Sequence, residues 1–228
     1  DFWRYEEHVD TSIQVGDFII DKERFYIEDK EVWCIEKYLG NSSKVIIPDE
    51  LEGHKIEGID WYAFKNNTNL IEVQLPKSLK IIGFYAFQGC IKLKNLELPE
   101  TVEFIYEKAF EGCKSLEMVQ LPKALHAIDP SSFFDTNIKE FVIDKGNSAF
   151  TTVDGVLYNK NCTELVLVPP KKSELTLLKS VTKINSYAVS KNEVLTDVTL
   201  NTGLTVIDIG AFYACSKIKK VKLPNALK

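Results

Sequence analysis

The chain has 228 residues, 45% of them hydrophobic, which is enough for one large core or a stacked array and excludes a disordered composition. Its 28 basic and 33 acidic residues leave a formal charge of −5, without the clustered basic face that nucleic acid requires. No apolar run approaches the roughly 18–20 residues a membrane-spanning helix needs, and the longest basic clusters, Lys171-Lys172 and Lys217 with Lys219-Lys220, read as solvated lysines.

In chain order, residues 1–16 read as a flanking segment of low order. The chain opens on Asp1 with no apolar leader, which fits either a signal peptide already removed or a trimmed fragment. Two apolar runs then face each other across Glu28-Asp29-Lys30: Phe18-Ile19-Ile20, and Glu31-Val32-Trp33-Cys34-Ile35. Residues 17–44 are therefore expected to form an N-terminal hairpin cap.

Residues 45–228 are organised by a period of 23. Ala-Phe occurs at 63–64, 86–87, 109–110 and 211–212, and Leu-Pro at 75–76, 98–99, 121–122 and 223–224. The first three copies of each pair are 23 apart, and the same step reaches the degenerate Ser132-Phe133 and Ala188-Val189. In the clearest copy, Val102, Ile105, Ala109, Phe110, Cys113, Leu116, Val119 and Leu121 are the residues expected to point inward. Val119 and Leu121 alternate with Met118 and Gln120, the period of a strand with one buried face. Pro122 then ends the strand, since it has no N–H for the ladder. The corresponding triplets are Val45–Ile47, Val73–Leu75, Leu96–Leu98, Val119–Leu121, Phe141–Ile143, Leu175–Leu177, Val198–Leu200 and Val221–Leu223. Stacked one coil apart, they are expected to form a continuous parallel sheet, with short turns or a turn of helix around Ala-Phe. Such units bury their apolar faces only against their neighbours.

The period breaks once. Ser132 and Ala188 stand 56 positions apart, two units plus ten. The extra residues fall at about 150–168, where Asp154-Gly155-Val156-Leu157-Tyr158 and Glu164-Leu165-Val166-Leu167-Val168 read as a hairpin growing out of the array. Phase resumes at Leu175–Leu177, so the insert is expected to be dispensable for the core; the alternative is that Val156, Leu157, Leu165 and Leu167 cover an otherwise exposed edge of the coil. The last copy begins at Leu227 and is followed by no polar cap, which reads as a C-terminal cap missing from a longer polypeptide.

The repeated I-x-x-x-A-F-x-x-C-x-x-L-x-x-V-x-L-P text, together with the insert Phe150-x-x-x-Asp154-Gly155-Val156-Leu157-Tyr158-Asn159-Lys160, resembles the BspA-like leucine-rich-repeat family of bacterial surface proteins. The resemblance covers roughly residues 40–228; Ser132 and Val189 depart from it in the Ala-Phe slots. It implies an α/β leucine-rich-repeat solenoid, a secreted or cell-surface location, and recognition of proteins or glycans, some of them from a host.

The residues themselves carry little chemistry. Cys90, Cys113 and Cys215 fall four positions after the repeat alanine, where Asn67, Thr136 and Asn192 also stand. They are expected to be buried free thiols filling a tight slot, although Cys90 and Cys113 sit close enough on adjacent coils to allow a disulfide. The five cysteines form no CxxC pair and His8, His54 and His126 are scattered, so no metal is expected. No nucleophile, zinc, P-loop or dinucleotide motif occurs; no cofactor and no enzyme activity are expected. Asp154-Gly155 reads as a turn, since it lacks the spaced carboxylates of a calcium loop. Candidate partner-binding residues are the outward strand positions Glu72, Gln74, Asn95, Glu97, Met118 and Gln120. A second group is Trp61, Tyr62, Phe84 and Tyr85, just before the Ala-Phe pairs, whose alternative role is to pack on one another between coils. The lead reading is a non-enzymatic recognition module. The alternatives are a structural spacer and, from the enzyme class, a glycan-processing pair of carboxylates about 5–10 Å apart.

Overall fold

The structure, a computed structural model, describes residues 11–25 and 30–228. Residues 1–10, most of the expected flanking segment, and Glu28-Asp29 of the expected turn lie outside the described residues. Ile13–Val15, assigned to the flank from sequence, is instead a strand paired antiparallel with Phe18–Phe25 through a turn at Gly16. Phe18–Phe25 pairs antiparallel with Lys30–Tyr38, and Lys30–Tyr38 pairs parallel with His54–Ile59. The N-terminal hairpin therefore supplies the first rung of a parallel stack.

From there the chain winds in coils of about 23 residues, and every described element is a strand or a turn. The α part of the expected class is absent among the described residues: Ala-Phe sits in successive turns, not in a turn of helix. Each of the regular coils carries two short strands. The first is the expected Val-x-Leu segment, as in Glu72–Gln74 and Val119–Leu121. The second, not foreseen, follows the Leu-Pro turn: Ile81–Ile82, Phe104–Ile105 and Ala127–Ile128 continue the parallel ladder begun at His54–Ile59. Four-residue segments after Pro76, Pro99 and Pro122 redirect the chain between the two rows.

The first row is not one continuous sheet. It pairs as Lys44–Ile46, Glu72–Gln74 and Asn95–Leu96, then as Val119–Leu121 with Phe141–Ile143, then as Glu174–Thr176 with Asp197–Thr199. Strands of two or three residues, the first four halted near Pro48, Pro76, Pro99 and Pro122, make few ladder bonds, and pairing lapses after Leu96 although Leu96 and Val119 share one core. The second gap has a definite cause: the Phe141 N–H donates to the Gly155 carbonyl at 2.9 Å, so the insert takes the neighbouring place. Val221–Leu223 is not a strand.

The inward phase read from the repeat matches burial. Val102, Ala109, Phe110, Cys113, Leu116 and Leu121 have no exposed surface, while Met118 is 64% exposed. Phe64, Phe87, Phe110 and Phe133 stack in a column, with centroids 4.9, 5.3 and 5.2 Å apart and planes within 13°. Beside them the Ala-Phe turns are stitched coil to coil, as by the Phe87 N–H to the Ala109 carbonyl at 2.7 Å and the Phe110 N–H to the Ser132 carbonyl at 2.8 Å. Two positions per turn take a left-handed backbone at fixed phase: Tyr62, Tyr85, Lys108 and Tyr187 before the alanine slot, and Asn66, Gly89, Gly112, Asp135 and Lys191 after it. Only glycine does this freely; elsewhere it costs about 1 kcal/mol per residue, which the stitching of both neighbours offsets.

The insert is a meander of three antiparallel strands, Phe150–Val153, Val156–Asn159 and Glu164–Leu167, the first two joined by Asp154-Gly155 with both residues at positive φ. Its third strand does not project. It pairs parallel with Lys183–Ile184 and so fills a second-row place in the solenoid. Val156, Leu157, Tyr158, Leu165, Val166, Leu167 and Val168 are all buried.

Candidate functional site

The cysteines are structural. All five are free; Cys90 and Cys113 have no exposed surface. Each donates its S–H to a carbonyl one coil back, Cys90 to Phe64 at 3.1 Å and Cys113 to Phe87 at 3.2 Å. Burial pushes the Cys90 thiol up to about 12 and the Cys113 thiol well above its ordinary value, so neither is available as a nucleophilic thiolate. Cys215 makes the same bond, to Val189 at 3.1 Å, but is half-exposed, a correction to its expected burial. The residues that share the slot solve the same problem with other atoms. Asn192 accepts from the Val194 and Leu195 N–H groups and donates to the Pro169 and Lys172 carbonyls, and Asn67 accepts from the Asn69 and Leu70 N–H groups. Among the described residues there is no cluster of three or more metal-ligating side chains.

The two candidate surfaces are real surfaces on different parts of each coil. On the first strand row, Gln74, Asn95, Glu97, Met118 and Gln120 are exposed; Glu72 is half-buried, its carboxylate 3.2 Å from Lys44. The same face continues to Glu140, Val142, Asp197 and Thr199. It is mixed in polarity, with Ile46, Met118 and Val142 as apolar points 66, 64 and 42% exposed.

The aromatic residues form two stacks along the ridge that follows the second strand row. One, Trp61–Phe84–Tyr106, packs edge-to-face and then tilted, with centroids 4.9 and 4.8 Å apart; the other, Tyr62–Tyr85, lies ring over ring at 5.1 Å. The glycine at 83 makes room for this, since a Cβ there would meet the Ile59 carbonyl at 2.8 Å and the Trp61 ring at 3.1 Å. The stacks pack between coils, yet their leading rings, Trp61 and Tyr62, are each 48% exposed. Lys65 and Lys108 lie over the tyrosine stack, 4.6 Å from the Tyr62 centroid and 5.3 Å from that of Tyr85. The Tyr85 hydroxyl donates to Glu107 at 3.3 Å.

Where the tryptophan stack ends, an open groove of about 300 Å³ runs on between adjacent coils, lined by Phe84, Phe104, Tyr106, Glu107, Asp129 and Pro130 among others. The sequence reading did not find it. Its signal was in the repeat columns: Asp60, Gly83, Tyr106 and Asp129 share one phase, and Trp61, Phe84, Glu107 and Pro130 the next. An acid beside an aromatic in neighbouring copies of one slot becomes a juxtaposition once coils stack.

With this geometry established, comparison with known proteins fixes the family. The BspA type leucine rich repeat region matches in six copies, over residues 37–166 and 170–228, and the chain belongs to that family. Among solved structures it is similar to the pneumococcal vaccine antigen PcpA, with 24% identity and a TM-score of 0.73, covering 96% of this chain and 71% of that one. It is also similar to a leucine-rich repeat protein from Eubacterium ventriosum, with 22% identity and a TM-score of 0.62, covering 79% and 56%. A third is a leucine rich repeat protein of T. pallidum, with 26% identity and a TM-score of 0.50, covering 94% and 83%. Comparison with curated proteins gives no match. Among the described residues no helix is long and apolar enough to cross a membrane.

Proposed function

We propose that the chain is a non-enzymatic recognition module of a bacterial surface protein, acting outside the cell on a protein or glycan partner. The observation that carries this is the aromatic ridge. Two stacks, rigid because backbone bonds stitch each turn to the next, hold Trp61 and Tyr62 half in solvent. Aromatic side chains fixed in this way contribute large contact area at little entropic cost, and they dominate interface energetics. A spacer between other domains needs only dispersed polar surface and gains nothing from such a patch.

The test is capture by the immobilised chain of a panel of host matrix proteins and arrayed glycans, repeated with Trp61→Ala plus Tyr62→Ala and with Met118→Ala plus Gln120→Ala. Loss of a captured partner in the ridge variant alone is the expected result. Loss only in the strand variant moves recognition to the first strand row. Capture of nothing by the intact chain favours the spacer.

A further inference from the structure

Resting on the reading of the ridge as a recognition surface, we propose that the groove at its end takes a basic side chain, arginine or lysine, projecting from a protein partner. The polar chemistry of the groove is one-sided. Among the described residues its charged lining is Glu107 and Asp129, with no lysine or arginine. Carboxylates only accept hydrogen bonds, and the Tyr106 hydroxyl is the one lining side chain that can donate. A sugar presents hydroxyls that need both donors and acceptors, whereas a guanidinium brings five donors and an ammonium three. The walls match the same guest, because Phe84, Phe104 and Tyr106 offer ring surface that attracts a cation within about 6 Å of a centroid.

Both acids are held in place. Asp129 Oδ1 accepts from the Ser131 N–H at 2.8 Å and the Ser131 hydroxyl at 2.5 Å, and Glu107 Oε1 lies 3.2 Å from Lys108 Nζ. Lys108 offsets part of the Glu107 charge, so Asp129 is the principal anchor. About 300 Å³ holds one long side chain and not a folded segment. The net charge of −5 favours approach of a basic surface.

The whole chain is titrated with N-acetyl-arginine amide, its neutral isostere N-acetyl-citrulline amide, and methyl glucoside, following amide shifts by NMR. Saturable binding of the arginine probe alone is expected, weakened at least tenfold in Asp129→Asn. Asparagine keeps the oxygen that accepts from Ser131, so the turn should persist, and unchanged thermal unfolding of the variant checks this. Equal binding of citrulline, binding of the sugar instead, or no saturable shift overturns the proposal. So does unaltered arginine binding by Asp129→Asn. Capture of a partner that depends on Trp61 without arginine binding would sink the groove proposal and leave the recognition module standing. Arginine binding with no captured partner would do the reverse.

Discussion

At the scale of the residue, the repeat assigns each side chain to inside or outside, and the consequences are large. Phe110 has no exposed surface and sits mid-column between Phe87 and Phe133, so Phe110→Ala should cost about 3–5 kcal/mol in chemical denaturation. The exposed Gln120→Ala on the same coil should change stability by less than about 0.5 kcal/mol. Similar losses for the two would refute the inward–outward phase. The cysteines divide by exposure rather than by slot. In a native thiol titration Cys162 and Cys215, both half-exposed, should react, while Cys34, Cys90 and Cys113 should wait for denaturant. Five fast thiols would mean the coils open far more readily than their packing implies; fewer than five after denaturation would reveal a disulfide.

The elements show where reading a sequence succeeds and where it stops. The Val-x-Leu strands and the Ala-Phe turns were legible because apolar residues recur at fixed spacing and Leu-Pro punctuates each unit. The second strand row was not legible. Its regular strands, such as Ile81–Ile82 and Phe104–Ile105, are two residues long, too short for any alternation, and Ile81 and Phe104 are buried on the outer side as well, against Val32 and Cys34. The left-handed turn positions were hidden for another reason. Gly89 and Gly112 announce one of them, but Lys108 and Lys191 take a left-handed conformation because the next coil fixes their backbone, the Lys108 N–H on the Ser131 hydroxyl at 3.2 Å and the Lys191 N–H on the Tyr213 carbonyl at 2.7 Å. Lys191 illustrates what such a turn can reach: its ammonium passes 5.2 Å from the Phe134 ring to Glu111, at 2.8 Å, 80 residues away in sequence. Burial acts to raise the Glu111 carboxyl, but hydrogen bonds from Lys191 and Gln88 and the charges of Lys191 and Lys108 outweigh it, and the net shift is downward. A depressed carboxylate contributes stability above its unfolded value near 4.5 and loses it as pH falls through the folded one. Glu111→Gln should therefore destabilise the chain at pH 7, by up to about 1 kcal/mol given that Lys191 is partly exposed, and by less at pH 3. An equal effect at both pH values would assign the loss to packing.

For the whole molecule the decisive segment is the insert, which the sequence showed as ten surplus residues in a period and a hairpin growing out of the array. From phase alone it looked removable, because Leu175–Leu177 resumes the repeat. What phase cannot show is that the strand Glu164–Leu167 replaces a second-row rung, and that the meander joins the two large bodies of core. Leu157, Val166 and Leu167 pack into the body that runs back to the N-terminal hairpin; Val156, Tyr158, Leu165 and Val168 pack into the one that runs on to the last coils. Along Val156–Tyr158 alternate side chains thus serve opposite neighbours, as the two faces of a strand permit, while the register shift opposite Leu157 and Tyr158 leaves Val166 and Leu167 in one body. In a solenoid, stability is roughly a sum over neighbouring interfaces, so deleting the shared one should uncouple what lies on either side. Replacing Val156–Val168 with a Gly/Ser linker should abolish the single unfolding transition, leaving two weaker transitions or an aggregating chain with the inner faces of both bodies exposed. Point variants separate this from a linker that is merely too short: Leu157→Ala should destabilise chiefly the N-terminal body and Leu165→Ala the C-terminal one, each by about 2–5 kcal/mol. Hydrogen exchange resolved by segment is the measurement. A linker variant that keeps one cooperative transition, with protection unchanged on both sides, would show that the insert rides on the solenoid instead of joining it.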